Sequence, residues 1–274
     1  MSALSDRPIG VFDSGVGGLT VVRELWRRMP EEAIVYFGDT ARVPYGPKSP
    51  DTVRRYAREA AAFLLSRDVK MLVVACNTAT AHAAAMLRDE LPIPVVGVVE
   101  PGARAAGQAT RTGRIGVVGT AGTIASGAYD RAVRSLMPEA RVYAQPCPLF
   151  VPLVEEGWLD HPATRLVAEE YLRPIREVDV DVLILGCTHY PLLRPLLGEL
   201  MGRGITLVDS AEETARDVHE ILESTGLRRQ GTEPPHHVFV VSDEPHRFRD
   251  VGRVFLGDGL HAVEQIDVDG ITLR

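Results

Sequence analysis

Two cysteines stand in matching settings. Cys76 closes the apolar run Met71–Ala75 and leads through Asn77-Thr78-Ala79-Thr80 into an alanine-rich helical stretch. Cys187 follows the run Val182–Leu185 and Gly186, a residue that permits close backbone approach. It leads into Thr188-His189-Tyr190, with Pro191 suited to a first helical turn. Thr78 or its neighbour is the expected N-cap of the first of these helices. A thiol at such a junction feels the partial positive charge of the helix N-terminus, about 0.3–1 kcal/mol when exposed and up to about 2 kcal/mol when partly buried. The expectation is a thiol lowered from about 8.5 toward neutrality. A disulfide redox pair is usually written Cys-x-x-Cys, whereas these two are 111 residues apart. Three cysteines and scattered histidines do not match zinc spacing, so no metal site is expected. Two-base proton exchange remains: one thiolate removes a proton from one face of a carbon and the opposite thiol delivers one to the other face. That inverts a stereocentre without a cofactor.

Other groups fit this chemistry. The loop Asp13-Ser14-Gly15-Val16-Gly17-Gly18-Leu19 exposes backbone N–H groups that suit an anion. It resembles a dinucleotide loop, with Asp39 about 20 residues on. Its pattern is Gly-x-Gly-Gly, however, and an acid precedes the glycines, which does not help a phosphate. Asp13 makes better sense as a proton acceptor or a partner for an ammonium group. Gly38–Gly46 and the Gly-Thr-Ala-Gly-Thr loop with Thr120 and Thr123 add hydrogen-bonding groups. His189 is close enough in sequence to reach Cys187 or its ligand. Cys147, between Pro146 and Pro148 with no helix start expected after it, is read as a packing residue.

Short apolar runs alternate with longer helical patterns, which predicts βαβ units and parallel sheets. Strands are expected at Ile9–Phe12, Ile34–Phe37, Met71–Ala75, Val95–Val98, Ile115–Val118, Arg141–Ala144, Val182–Leu185, Ile205–Val208, Val238–Val241 and Val263–Val268. Helices are expected at Thr52–Ser66, Ala79–Glu90, Ala163–Glu177 and Ala211–Ser224, among others. Asp68–Thr78 aligns without gaps on Asp179–His189, and Ile9-Gly10-Val11 echoes Ile115-Gly116-Val117. Two pseudo-symmetric doubly wound α/β halves facing a shared cleft follow from this echo. In such folds ligands sit at the carboxyl ends of the strands.

Composition narrows the classes. The 274 residues are 45% hydrophobic and 24% charged, the profile of a globular chain of about two domains. A net charge of −7 argues against a general nucleic-acid binder. The odd, sparse cysteines exclude a disulfide framework. No apolar run approaches a spanning helix and no signal peptide is visible, so a soluble cytoplasmic protein is expected. Only Lys48 and Lys70 could form a Schiff base, and neither sits in a recognisable pyridoxal-phosphate motif. A non-catalytic nucleotide binder using the glycine loop is the reading from another class.

Taken in order along the chain, Asp-Ser-Gly-Val-Gly-Gly-Leu at 13–19, Tyr-Phe-Gly-Asp-Thr-Ala-Arg-Val-Pro-Tyr-Gly at 36–46, Cys-Asn-Thr-Ala-Thr at 76–80, Gly-Val-Val-Glu-Pro at 97–101 and Leu-Gly-Cys-Thr-His-Tyr-Pro at 185–191 closely resemble the glutamate racemase family. The resemblance covers nearly the whole chain. It implies cofactor-independent interconversion of L- and D-glutamate, supplying D-glutamate for peptidoglycan. It implies Cys76 as the base acting on D-glutamate and Cys187 on L-glutamate, with Asp13 assisting Cys76 and His189 assisting Cys187. Asp13, Ser14, Tyr45, Gly46, Asn77, Thr78, Thr120, Thr188 and His189 would hold the substrate, and Glu155 would border the cleft. It also implies a discontinuous first domain, 1–99 with 210–274, around a second at 100–209, and a homodimer. A sibling racemase for aspartate is the nearest rival. Some members carry an N-terminal extension associated with activation by a cell-wall precursor. Eight residues precede Ile9 here, so no such requirement is expected.

Overall fold

The computed structural model describes residues 4–231, 233–260, 262–267 and 273. The first stretch runs β1 (Ile9–Asp13), α1 (Leu19–Arg28), β2 (Ile34–Gly38), α2 (Pro50–Ser66), β3 (Met71–Val74), α3 (Asn77–Glu90), β4 (Val95–Gly97) and α4 (Val99–Ala109). There follow β5 (Arg114–Gly119), α5 (Ala121–Ala125), α6 (Ala128–Leu136), β6 (Arg141–Pro146), α7 (Phe150–Glu155), α8 (Pro162–Glu177), β7 (Val182–Gly186), α9 (Arg194–Met201) and β8 (Thr206–Asp209). The chain ends with α10 (Ser210–Thr225), β9 (Val238–Val241), α11 (Pro245–Leu256) and β10 (Glu264–Gln265). The last strand is shorter than expected, and Val268 lies outside the described residues. Cys147 is followed by a helix after all, α7 starting at Phe150.

Two sheets form, β10-β9-β2-β1-β3-β4 and β6-β5-β7-β8, and every pairing is parallel. Strands β1, β2, β3 and β7 are buried at every residue. That is why they read as continuous apolar runs rather than as alternations. In the first sheet β1 connects outward to β2 while β3 connects the other way to β4. In the second, β5 connects to β6 and β7 to β8. Each sheet therefore has a topological switch point, at β1/β3 and at β5/β7. The loops opening there begin after Asp13, Val74, Gly119 and Gly186.

The sequence echo is structural. β3 and β7 occupy the same place in their sheets, as do β1 and β5. Gly10 and Gly116 are glycine for the same reason: an added Cβ would lie 3.1 Å from Val69 in one half, and 2.9 Å from Leu183 and 3.5 Å from Val180 in the other. The preceding turns match too, with Asp68 at φ 55° and Asp179 at φ 51°. Helices α4 and α10 pack on each other, and α10 also packs on α1. Among the described residues no helix is long and apolar enough to cross a membrane.

Candidate active site

The four switch-point loops meet. A cavity of about 50 Å³ lies between the carboxyl ends of the two sheets, and both Cys76 and Cys187 line it. Of the other residues singled out in the sequence, Ser14, Tyr45, Gly46, Asn77, Thr78, Thr120, Glu155, Thr188 and His189 also line it. Asp13 lies fully buried behind this wall. Gly15, Val43 and Pro44, from the same quoted motifs, and Val151, outside them, complete the lining. Neither lysine reaches the cavity. Lys70 is buried against Glu32 at 2.5 Å and the Ser5 carbonyl, and Lys48 hangs over the Tyr56 ring.

On the first wall, Cys76 itself caps α3, its Sγ accepting from the Ala79 N–H at 3.4 Å, so the cap is the thiol rather than Thr78. Asp13 accepts from the Gly15 N–H through Oδ2 at 2.9 Å, while its Oδ1 has no hydrogen-bond partner. Burial raises the Asp13 carboxyl, opposed by the Gly15 N–H and by the charge of His189. The expected lowering of the Cys76 thiol does not occur. Burial first and the Asp13 charge second push it up to about 12, against hydrogen bonds from Ser14 and Ala79. A rise from 9.0 to about 12 is a net cost of about 4 kcal/mol for the thiolate, and a helix end contributes about 2 kcal/mol at most. Desolvation wins because the thiol itself is buried, only 6% exposed.

On the opposite wall, Cys187 Sγ lies 3.9 Å from His189 Nδ1, and His189 Nε2 donates to Glu155 Oε1 at 2.9 Å. Burial opposes the charged imidazole. The hydrogen bonds to Cys187 and Glu155 outweigh it and raise His189 from 6.5 to about 10. The protonated imidazole is therefore favoured by folding. Its stabilisation is complete below pH 6.5 and is lost as pH rises through about 10. The His189 ring titrated by NMR is expected to show its midpoint well above the free-histidine value. Glu155→Gln is expected to bring that midpoint down; an unmoved midpoint would show that the carboxylate does not hold the proton.

The remaining lining groups are hydrogen-bond donors and acceptors held in place by their neighbours. Thr78, Thr120 and Thr123 join their hydroxyls in a triangle of 2.9, 3.1 and 3.0 Å that crosses the cleft. Asn77 accepts from Tyr129 through Oδ1 at 2.6 Å, and its buried Nδ2 has no partner. Asp39, noted in the sequence only for its spacing from the glycine loop, is fully buried in another task. It accepts from Tyr45 Oη at 2.5 Å, from Arg42 Nε at 2.8 Å and from Ser242 Oγ at 3.0 Å, fixing the loop that carries Tyr45 and Gly46. Cys147 is completely buried in the core and does not line the cavity. Sequence spacing gave no signal for Tyr129.

Fold and cavity together define a two-lobed α/β protein in which two thiols line facing walls of one cavity. Comparison with known proteins agrees. Residues 14–218 match the sequence model of the Asp/Glu/Hydantoin racemase family. A glutamate racemase of Geobacter metallireducens is 56% identical over 263 residues, covering 96% of this chain and 97% of the relative. The crystal structure of a glutamate racemase isoform from Bacillus anthracis superposes with a TM-score of 0.92 at 40% identity, covering 98% of this chain and all of the other. A glutamate racemase from Francisella tularensis, crystallised with D-glutamate, gives 0.91 at 37% identity over 97% and 99% of the two chains. The chain belongs to the Asp/Glu/Hydantoin racemase family and is an isomerase of the amino-acid racemase class.

Proposed function

We propose that the protein interconverts L- and D-glutamate by proton exchange at Cα between Cys76 and Cys187. The observation that carries this reading is one small cavity walled by two thiols from equivalent strand ends. Two buried, unpartnered polar atoms beside Cys76 support it: Asp13 Oδ1, an acceptor suited to an ammonium group, and Asn77 Nδ2, a donor suited to a carboxylate. The glutamate racemase relatives, one of them crystallised with D-glutamate, point to the substrate.

In this mechanism one thiolate takes the Cα proton and becomes a thiol. The opposite thiol gives its proton to the other face of the carbanion and becomes a thiolate, so the proton count is unchanged and the centre inverts. Cys76 serves D-glutamate, assisted by Asp13, and Cys187 serves L-glutamate, assisted by His189 and by Glu155 behind it. An α-proton is weakly acidic, so the developing carboxylate charge must be met by preorganised donors in a dry cleft. Ser14, Tyr45, Gly46, Asn77, Thr78, Thr120 and Thr188 provide that lining. Burial is the larger cause of the raised Cys76 thiol and the Asp13 charge the second; a substrate ammonium beside Asp13 offsets that second cause, so binding and thiol activation are coupled. No cofactor enters this scheme.

Supply of D-glutamate for peptidoglycan, a cytoplasmic location, a homodimer and no nucleic-acid partner belong to the same reading. So does the division into 1–99 with 210–274 and 100–209, supported by the segments from which each sheet draws its strands. The test is incubation of the protein with L-glutamate and with L-aspartate in heavy water without added cofactor. Glutamate is expected to racemise with deuterium entering at Cα. No exchange into glutamate, or faster exchange into aspartate, would overturn the assignment.

A further inference from the structure

Tyr129 belongs to α6, and its phenol reaches across the cleft to α3. The hydroxyl donates to Asn77 Oδ1 at 2.6 Å. The ring is buried, 3% exposed, in a seat cut for it by two glycines. A Cβ at Gly186, the residue before Cys187, would lie 3.0 Å from the ring, and one at Gly102 would lie 3.4 Å from it. Little about the ring's position is free to change.

This arrangement decides which way the Asn77 carboxamide faces. A carboxamide has an acceptor end and a donor end, and the two are nearly the same shape. The phenol gives its single proton to Oδ1. The NH₂ group is then left at the cavity wall, buried and unpartnered. Turned the other way, the amide would present its oxygen to an incoming carboxylate and repel it. A buried donor without a partner is costly, so this one is poised for an anionic ligand.

We propose that Tyr129 is a positioning residue, which locks the Asn77 amide with its donor end toward the substrate carboxylate and does so from the opposite lobe. The proposal rests on the reading of the cavity as a glutamate site. It makes the second lobe a determinant of a first-lobe binding contact.

Tyr129→Phe keeps the ring and removes only the hydroxyl. For both enantiomers KM is expected to rise about tenfold, the worth of one oriented hydrogen bond, with kcat within about threefold. The thermal midpoint is expected to fall by no more than a few degrees. In an Asn77→Ala background, Tyr129→Phe is expected to change KM by less than about twofold, because its effect runs through that amide. An unchanged KM in Tyr129→Phe, or a full tenfold loss repeated in the Asn77→Ala background, overturns the positioning role. Absence of glutamate turnover in the unmodified chain defeats the reading of the cavity, and the proposal with it; the variant ratios test Tyr129 alone.

Discussion

Replacing either Cys76 or Cys187 by alanine is expected to lower racemisation of glutamate in both directions by about 10³-fold or more, since a positioned general base contributes about 10²–10⁴-fold and each turnover needs both thiols. One thiol must remove the proton and the other must deliver it, so neither single variant retains a complete path. The side chains are small, and alanine leaves strand, helix and cavity lining in place. Binding of glutamate, measured by calorimetry, should therefore largely survive. The residual chemistry is informative. A remaining thiol can still take a proton from the face it sees and return a deuteron to it. Exchange without inversion is expected only for D-glutamate in Cys187→Ala and only for L-glutamate in Cys76→Ala. Cys147→Ala is the control: that side chain is buried away from the cavity, and turnover should be little changed. Normal turnover by either single-thiol variant would remove the two-thiol mechanism.

Gly17→Ala is expected to be nearly as damaging, for a geometric reason. A Cβ on Gly17 would fall 2.2 Å from Thr188 Oγ1 and 2.5 Å from the Nδ1 and Cε1 atoms of His189. These atoms belong to the other lobe and cannot simply yield. The Thr188 carbonyl accepts from Thr20 Oγ1 at 3.1 Å, and His189 is tied to Glu155 and Cys187. The backbone at Gly17 does not adopt a positive φ, so the chain itself tolerates alanine there. What gives is the fit of the two walls. Misplacement of reacting groups by about 1 Å costs about 10²-fold, which is the expected fall in kcat. Circular dichroism should show the fold retained. Gly204→Ala, where nothing lies within 4 Å of the added carbon, should be harmless. Wild-type kcat in Gly17→Ala would mean that the lobes do not need this close approach.

Both results follow from one feature, the meeting of four loops at two switch points. Sequence alone determined the parts of that feature that are local. Apolar runs buried on both faces read as parallel strands because burial removes the alternation of polar residues. Cys76 and Cys187 could be paired because each closes an equivalent strand, and equivalent strands carry equivalent packing demands, as Gly10 against Val69 and Gly116 against Leu183 show. Asp13, Ser14, Asn77, Thr78, Thr120, Thr188 and His189 were legible for the same reason: each lies within a few residues of a strand's carboxyl end, where a doubly wound fold must place its ligand.

What depends on contacts between distant segments was decided only by the tertiary structure. The helix end argued for a lowered Cys76 thiol, but desolvation is set by what the fold packs around it, and burial with the nearby Asp13 charge puts the thiol at about 12 instead. Asp39 sat at a plausible ligand position, yet Arg42, Tyr45 and Ser242 converge on it and turn it into an anchor. Tyr129 has no motif of its own. Its role exists because a helix of the second lobe brings its hydroxyl to 2.6 Å from an amide 52 residues earlier in the chain. Local propensity and strand position are written in neighbouring residues; burial, charge coupling and the orientation of an amide are written only in what folding brings alongside.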